Sequence, residues 1–245
     1  MDTLLISTVS VLLTLLVTAV FHPLASRLST VSRRITRIKP LTVHVETDPS
    51  LVWAGFPNWV PAFVWLPDPP TGTPPEHPTD WYAWARARGG ADAAQTVLKV
   101  TVTARELASV VIECPKLRHE FEPLDDPPAG CVACCPTGGA AVTPRRIQVD
   151  LGLGTTTWVD DGGSPIGPVT LTLSPGETEQ FLVFVHAHSG RNEWHLELPV
   201  LVDGKRQMIP LRDKGERFVT YGPEGFDEYR WSDGGWERHH QGLSC

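Results

Sequence analysis

The sequence predicts a mainly β protein, an antiparallel β-sandwich preceded by an N-terminal transmembrane helix. Three observations lead there. From Thr3 to Leu24 there is no Asp, Glu, Lys or Arg. From Leu41 onward, short alternating segments are separated by Gly-, Pro- and Asp-rich turn signals. Pro and Gly number 23 and 21 in 245 residues, as a chain of many turns and short strands requires.

The first element is the membrane helix, residues 1–25. A bilayer core is crossed by roughly 20 apolar residues in a helix. Leu4 to Phe21, extended without charge through His22, Pro23, Leu24 and Ala25, meets that length. A cleaved signal peptide would carry a basic start and a small-x-small cleavage site. Met1-Asp2 is acidic and His22 to Arg27 offers no such site, so the helix is read as retained. Arg27, Arg33, Arg34, Arg37 and Lys39 follow, with no acid before Glu46. Lys and Arg beside a span resist translocation, which places the N-terminus outside and the large C-terminal part in the cytoplasm. Leu24, Leu28, Val31, Ile35 and Ile38 also recur at helical spacing. Residues 26–40 therefore read equally as a basic amphipathic segment lying on anionic membrane lipid.

Beyond Lys39 the charge reverses. From Pro40 onward 16 Lys and Arg face 27 Asp and Glu. An acidic body excludes nucleic acid as a partner, because phosphate binding needs a basic surface. The partners implied are membrane lipid and another protein. An odd count of five cysteines suits a reducing compartment.

Residues 41–96 read as a Trp- and Pro-rich segment packed on the sandwich. Leu41 to Glu46 alternates as a first strand, and Trp53, Trp59 and Trp65 lie among prolines and glycines. Six of the twelve residues from Pro67 to Pro78 are proline, which predicts an extended connection. Thr79-Asp80 caps a short helix, Trp81 to Arg88, which Gly89-Gly90 stops. Trp81 and Trp84 share one face of it. Tryptophans this dense form either an exposed contact surface (Trp53, Trp59, Trp65, Trp81 and Trp84) or a lid over the core.

Residues 97–236 read as the sandwich. Strands are expected at 97–104, 109–114, 117–123, 145–151, 169–173, 179–187, 193–202, 206–211, 218–220 and 228–232. Residues 237–245 read as a polar tail. The run Leu-Thr-Leu-Ser-Pro-Gly-Glu-Thr at 171–178 resembles the corner between sheets of immunoglobulin-like domains. That architecture hosts many functions and selects none.

Two clusters could carry chemistry. If Phe181–His188 and Glu193–Leu198 form a hairpin, Val183, Val185, Ala187, Trp194, Leu196 and Leu198 face the core. His186, His188 and His195 then share the outer face with Glu193 and Glu197, a workable zinc geometry. A one-residue slip would scatter them. Cys131, Cys134 and Cys135 lie in a Pro/Gly-rich loop, with Cys114 ending a strand. Four thiolates could bind zinc or act in redox switching, though usual zinc sites use two separated Cys-x-x-Cys knuckles. Zinc is the only cofactor either set would take, and otherwise none is implied. No nucleophile elbow, phosphate loop, zinc-protease or dinucleotide motif occurs.

Several short motifs resemble those of an uncharacterised actinobacterial family of β-sandwich proteins, often membrane-anchored. They include Val52-Trp53-Ala54-Gly55, Asp80-Trp81 with Trp84-Ala85, Cys135-Pro136-Thr137-Gly138-Gly139-Ala140 and Tyr229-Arg230-Trp231. The likeness spans most of residues 44–236. Some members carry a helix-turn-helix ahead of this region, where this chain has its apolar segment. The resemblance implies that Cys135 belongs to a structural turn and that Cys131 and Cys134 are additions. It brings no activity and no catalytic residue.

The expectation is a single-pass, non-enzymatic binding, sensing or scaffold protein with a cytoplasmic sandwich. One alternative is a metal-binding or metal-dependent hydrolytic module built on His186, His188 and His195. The other is an extracytoplasmic envelope component, in which paired cysteines are expected.

Overall fold

The computed structural model describes residues 40–53, 60–77, 80–105, 109–125, 128–137, 145–167 and 169–239. The expected membrane helix and basic segment lie outside them. Among the described residues no helix is long and apolar enough to cross a membrane.

The body is mainly β. In chain order it forms β1 (Leu41–Glu46), a helical turn α1 (Pro49–Val52), β2 (Val60–Leu66), helix α2 (Trp81–Arg86), β3 (Ala91–Ala93), β4 (Gln95–Ala104), β5 (Val110–Ile112) and β6 (Lys116–Glu122). There follow β7 (Cys131–Thr137), β8 (Arg145–Asp150), β9 (Thr155–Val159), β10 (Leu171–Leu173), β11 (Thr178–His186) and β12 (Arg191–Val202). The chain closes with β13 (Lys205–Leu211), β14 (Phe218–Tyr221), β15 (Asp227–Ser232) and β16 (Gly235–His239).

Two sheets result. One has the order β1-β4-β11-β8-β9. The other runs β10-β5-β12-β14-β3-β2-β7-β15-β16, with β6 and β13 paired to further stretches of β12. The pairing is not purely antiparallel as expected: β8 with β11, β3 with β14 and β7 with β15 are parallel.

The sequence dictates the sandwich through period-2 burial. In β4, Thr96, Leu98, Val100, Val102 and Ala104 are buried while their neighbours are half-buried. Phe181, Val183 and Val185 of β11 join them, and Trp194, Leu196 and Leu198 of β12 fill the same core from the other sheet. Trp194 is fully buried and stacks on Phe218 with ring centroids 4.5 Å apart. Side chains of this size each contribute about 1.5–3 kcal/mol on burial.

The apolar faces of β11 and β12 are as read from the sequence, but their pairing is not. β11 lies between β4 and β8 in one sheet, and β12 lies in the other. Two strands that each carry a continuous apolar face bury more by meeting face to face across a core than by lying edge to edge.

Residues 41–96 supply strands to both sheets. β1 is an edge of the first sheet and β2 sits between β3 and β7 in the second. Position 97 falls within β4, and position 237 falls within β16. Cys131–Thr137 is strand β7, not a loop. Its first three residues pair with β15, and Pro136 lies beyond that pairing. There the missing N–H costs the β15 side nothing.

Past β3 the second sheet leaves the sandwich as a layer of β2, β7, β15 and β16, covered by α2. Val64, Leu66, Trp81, Tyr82, Ala85, Cys131 and Ala133 form its own core. Its last hairpin turns at Asp233 and Gly234, with φ 47° and 82°. Two positive φ angles in a two-residue loop match the twist of the strands they join. That turn sets Trp231 directly opposite Trp236.

Candidate functional site

Helix α2 has two working faces. Trp81 and Trp84, three residues apart, point along one, and Tyr82 and Arg86, four apart, along the other. The turn that follows the helix closes at Gly90, whose N–H donates to the Ala85 carbonyl at 3.0 Å. A Cβ at Gly90 would lie 2.7 Å from that oxygen, so only glycine lets the chain turn back into β3.

The first face meets the β15–β16 hairpin. Trp236 is the hub. Its ring stacks on Trp84 at 5.7 Å and 15°, tilts against Trp81 at 6.0 Å, and takes Trp231 edge-on at 5.4 Å. The Arg88 guanidinium carbon stands 4.1 Å from the Trp84 ring centre. Each aromatic pair is worth about 0.5–1.5 kcal/mol beyond its burial. Trp81 is buried; Trp84, Trp231 and Trp236 are half-buried.

The proline-rich connection lies across this face as a strap, residues 67–77. Pro70 and Pro74 are buried, whereas Thr71, Gly72 and Thr73 are exposed. Three side chains donate to strap carbonyls. Trp81 Nε1 reaches Pro75 O at 2.6 Å, Trp236 Nε1 reaches Gly72 O at 2.9 Å, and Cys131 Sγ reaches Asp68 O at 3.5 Å. Indole N–H groups thus hold the backbone of this proline-rich segment at Gly72, where a φ of 72° turns the chain, and beyond it at Pro75. A neutral hydrogen bond of this kind contributes about 1 kcal/mol net.

The second face of α2 ties this surface to the sandwich. Tyr82 Oη and Arg86 Nη2 both donate to Asp92 Oδ1 at 2.7 Å, and Arg86 also meets the Tyr82 hydroxyl. Thr96 Oγ1 donates to Asp92 Oδ2 at 2.6 Å and lies 2.7 Å from Thr220 Oγ1. Trp194 Nε1 donates to the same Thr220 hydroxyl at 2.9 Å. Burial, then the Asp92 carboxylate, raises the Tyr82 pKa well above its ordinary value. The phenol stays a donor, and the chain of bonds runs unbroken from α2 to the centre of the main core.

A second concavity, a cleft of about 890 Å3, opens between edge strand β1 and the β13 region. Leu41, Val43 and Ile209 line it beside Arg212, Asp213 and Lys214. It lies where the segment before Pro40 joins the body.

The histidines expected together are apart. His186 ends β11, where Gln95 Nε2 is 3.3 Å from its Nδ1. Burial lowers its pKa. His188 is exposed and pairs with Asp150 at 3.2 Å. His195 lies in the other sheet, opposite Arg118, buried, with its Nδ1 unpartnered. Burial, then the Arg212 charge, lowers its pKa. Among the described residues no group of three His, Cys, Asp or Glu is arranged to hold a metal ion.

Among the described residues the cysteines form no thiolate set either. Cys134 is disulfide-bonded, while Cys114 and Cys131 are free. Burial pushes Cys114 up to about 11, and burial with Asp227 and Asp68 pushes Cys131 up to about 12. The Cys135 side chain lies outside the described residues, as do Trp59, Arg27, Arg33, Arg34, Arg37 and Lys39.

The tryptophans divide three ways. Trp53 is buried with Val52 and Leu182 on the outer side of the first sheet. Trp65 stacks on Tyr221 at 4.2 Å and donates to Ala129 O. Among the described residues of the expected set, Trp81 and Trp84 reach the aromatic face, where Trp231 and Trp236 join them. The sequence signal for that second pair is two tryptophans flanking a Ser-Asp-Gly-Gly turn. No protein family, curated protein or solved structure matches the chain.

Proposed function

We propose that this protein is a membrane-anchored, non-enzymatic recognition module that binds another protein through its aromatic face. The uncharged run from Thr3 to Leu24 supports the anchor, and the basic residues from Arg27 to Lys39 support contact with lipid headgroups. The observation that carries the reading is the half-buried cluster of Trp84, Trp231 and Trp236, with indole donors of Trp81 and Trp236 aimed at main-chain carbonyls. Aromatic side chains with a polar handle are the residues that dominate protein–protein contacts. The test is a photo-crosslinking residue at Arg88, beside Trp84, in the full chain in its native membrane. A discrete protein adduct is expected there and not from the same residue at exposed Leu153. Equal adducts at both positions, or none, contradict the reading.

A second reading concerns the side of the membrane. The Cys134 disulfide favours an oxidising, extracytoplasmic location over the cytoplasmic one suggested by the flanking charges. A cysteine at Leu153, 76% exposed, decides it. Labelling by a membrane-impermeant maleimide on sealed cells supports the outside location, and labelling only after permeabilisation supports the cytoplasm.

A further inference from the structure

We infer that the aromatic face is a binding site for proline-rich peptide that turns at a central glycine, and that residues 67–77 occupy it in cis as a built-in pseudo-ligand. The inference rests on the recognition role proposed above and names its ligand class.

The argument starts from the donors. Cys131, Trp236 and Trp81 contact the carbonyls of Asp68, Gly72 and Pro75, at intervals of four and three residues. No strap side chain takes part in these bonds. A surface that reads carbonyls recognises backbone conformation rather than sequence. Proline suits the two arms of the strap, because its fixed φ preorganises the backbone there and its ring supplies an apolar rim, while Gly72 between them supplies the left-handed turn, φ 72°. Proline-recognition modules in general use aromatic-lined grooves for such a segment. Here Pro70 and Pro74 are buried, and the strap is bonded to Trp81 and Trp236 of the cluster that Trp84 completes.

The strap does not use the whole surface. Trp84 and Trp231 are only half-buried beside it, and Arg88 lies over Trp84. A free peptide could contact these as well. It must displace a segment tethered at both ends, whose effective concentration is in the mM range. The intact chain is therefore a closed form, which opens to a ligand that makes the additional contacts or when the strap is cut or pulled away.

The experiment uses the full chain in nanodiscs with a specific protease site inserted between exposed Gly72 and Thr73. The probe is a synthetic peptide of residues 66–78, followed by calorimetry and by indole 15N–1H spectra. After cleavage the chain should bind the peptide saturably, at least tenfold more tightly than the uncut chain. Trp236→Ala in the cut chain should weaken binding tenfold or more. A second variant, Pro70→Ser with Pro74→Ser and Pro75→Ser, opens the strap without cleavage and should behave alike. Should cleavage unfold the chain, as read by circular dichroism, this variant decides. A folded, strap-opened chain that shows no saturable binding overturns the inference. So does self-association of opened chains by strap exchange in place of peptide binding. A crosslinked partner at Arg88 without peptide binding would leave the recognition role standing and reject proline-rich peptide as its ligand.

Discussion

Replacing Asp92 tests the link between the aromatic face and the sandwich. Its carboxylate accepts from Tyr82, Arg86 and Thr96 in a site where Asp92 is 7% exposed. In Asp92→Ala the buried Tyr82 hydroxyl loses its acceptor, which costs about 1–3 kcal/mol. Thr96 loses one bond worth about 1 kcal/mol but keeps Thr220 as a partner. The Arg86 side chain is 36% exposed and can turn to water, so its lost ion pair adds less than about 1 kcal/mol. The sum is about 3 kcal/mol. Asp92→Asn keeps an acceptor for Tyr82 and Arg86, and its amide can donate to the Thr96 hydroxyl, which then donates to Thr220. That variant should cost only about 1 kcal/mol. Chemical denaturation of the full chain, followed by near-ultraviolet circular dichroism, reads both values. Alanine and asparagine variants of equal stability, or an alanine variant within about 1 kcal/mol of the parent, would refute the network as the connection.

Three further predictions follow from the same geometry. Cys114 and Cys131 should resist iodoacetamide at pH 8 in the native chain and react on denaturation; as their folded pKa values are raised, stability should fall as pH rises from about 9 through 11 to 12. His186 and His195 have folded pKa values below their unfolded value, so their contribution to stability is present above about pH 6.5 and lost as pH falls through the folded values. Gln at both positions should flatten that acid limb, and an unchanged limb would contradict the assignment. Gly90→Val should destabilise the α2 layer by about 2 kcal/mol or more, because its Cβ meets the Ala85 and Trp65 carbonyls at 2.7 and 3.0 Å. A thermal midpoint shifted by less than about 2 °C would reject that close approach.

The sequence made the sandwich legible where one face is buried and the other is wet. β4, β11 and β12 show their apolar alternation plainly, and Asp203-Gly204 and Asp233-Gly234 mark the β12–β13 and β15–β16 turns, each with two positive φ angles. Partner choice was not legible. The alternation of β11 and β12 says which side chains face the core but not which strand lies alongside, so the histidines were set on one face when they belong to two sheets. β7 was hidden because Cys131-Val132-Ala133-Cys134 is small and apolar on both faces and sits among Pro and Gly. Half of the aromatic face was also visible, since Trp81 and Trp84 share a helix. Trp231 and Trp236 are far from them in sequence, and only the pairing of β7 with β15 brings them there. The strap was read as an extended connection, yet nothing local says what an extended connection rests on.

The most direct test of the account is water exchange at the indole N–H groups of Trp81 and Trp236, measured by 15N–1H spectroscopy on the tryptophan-labelled full chain in nanodiscs. The account predicts that both protons exchange slowly in the parent chain and that both become fast when Pro70, Pro74 and Pro75 are replaced by serine. Fast exchange of both in the parent chain, or slow exchange that the replacements leave unchanged, would contradict it.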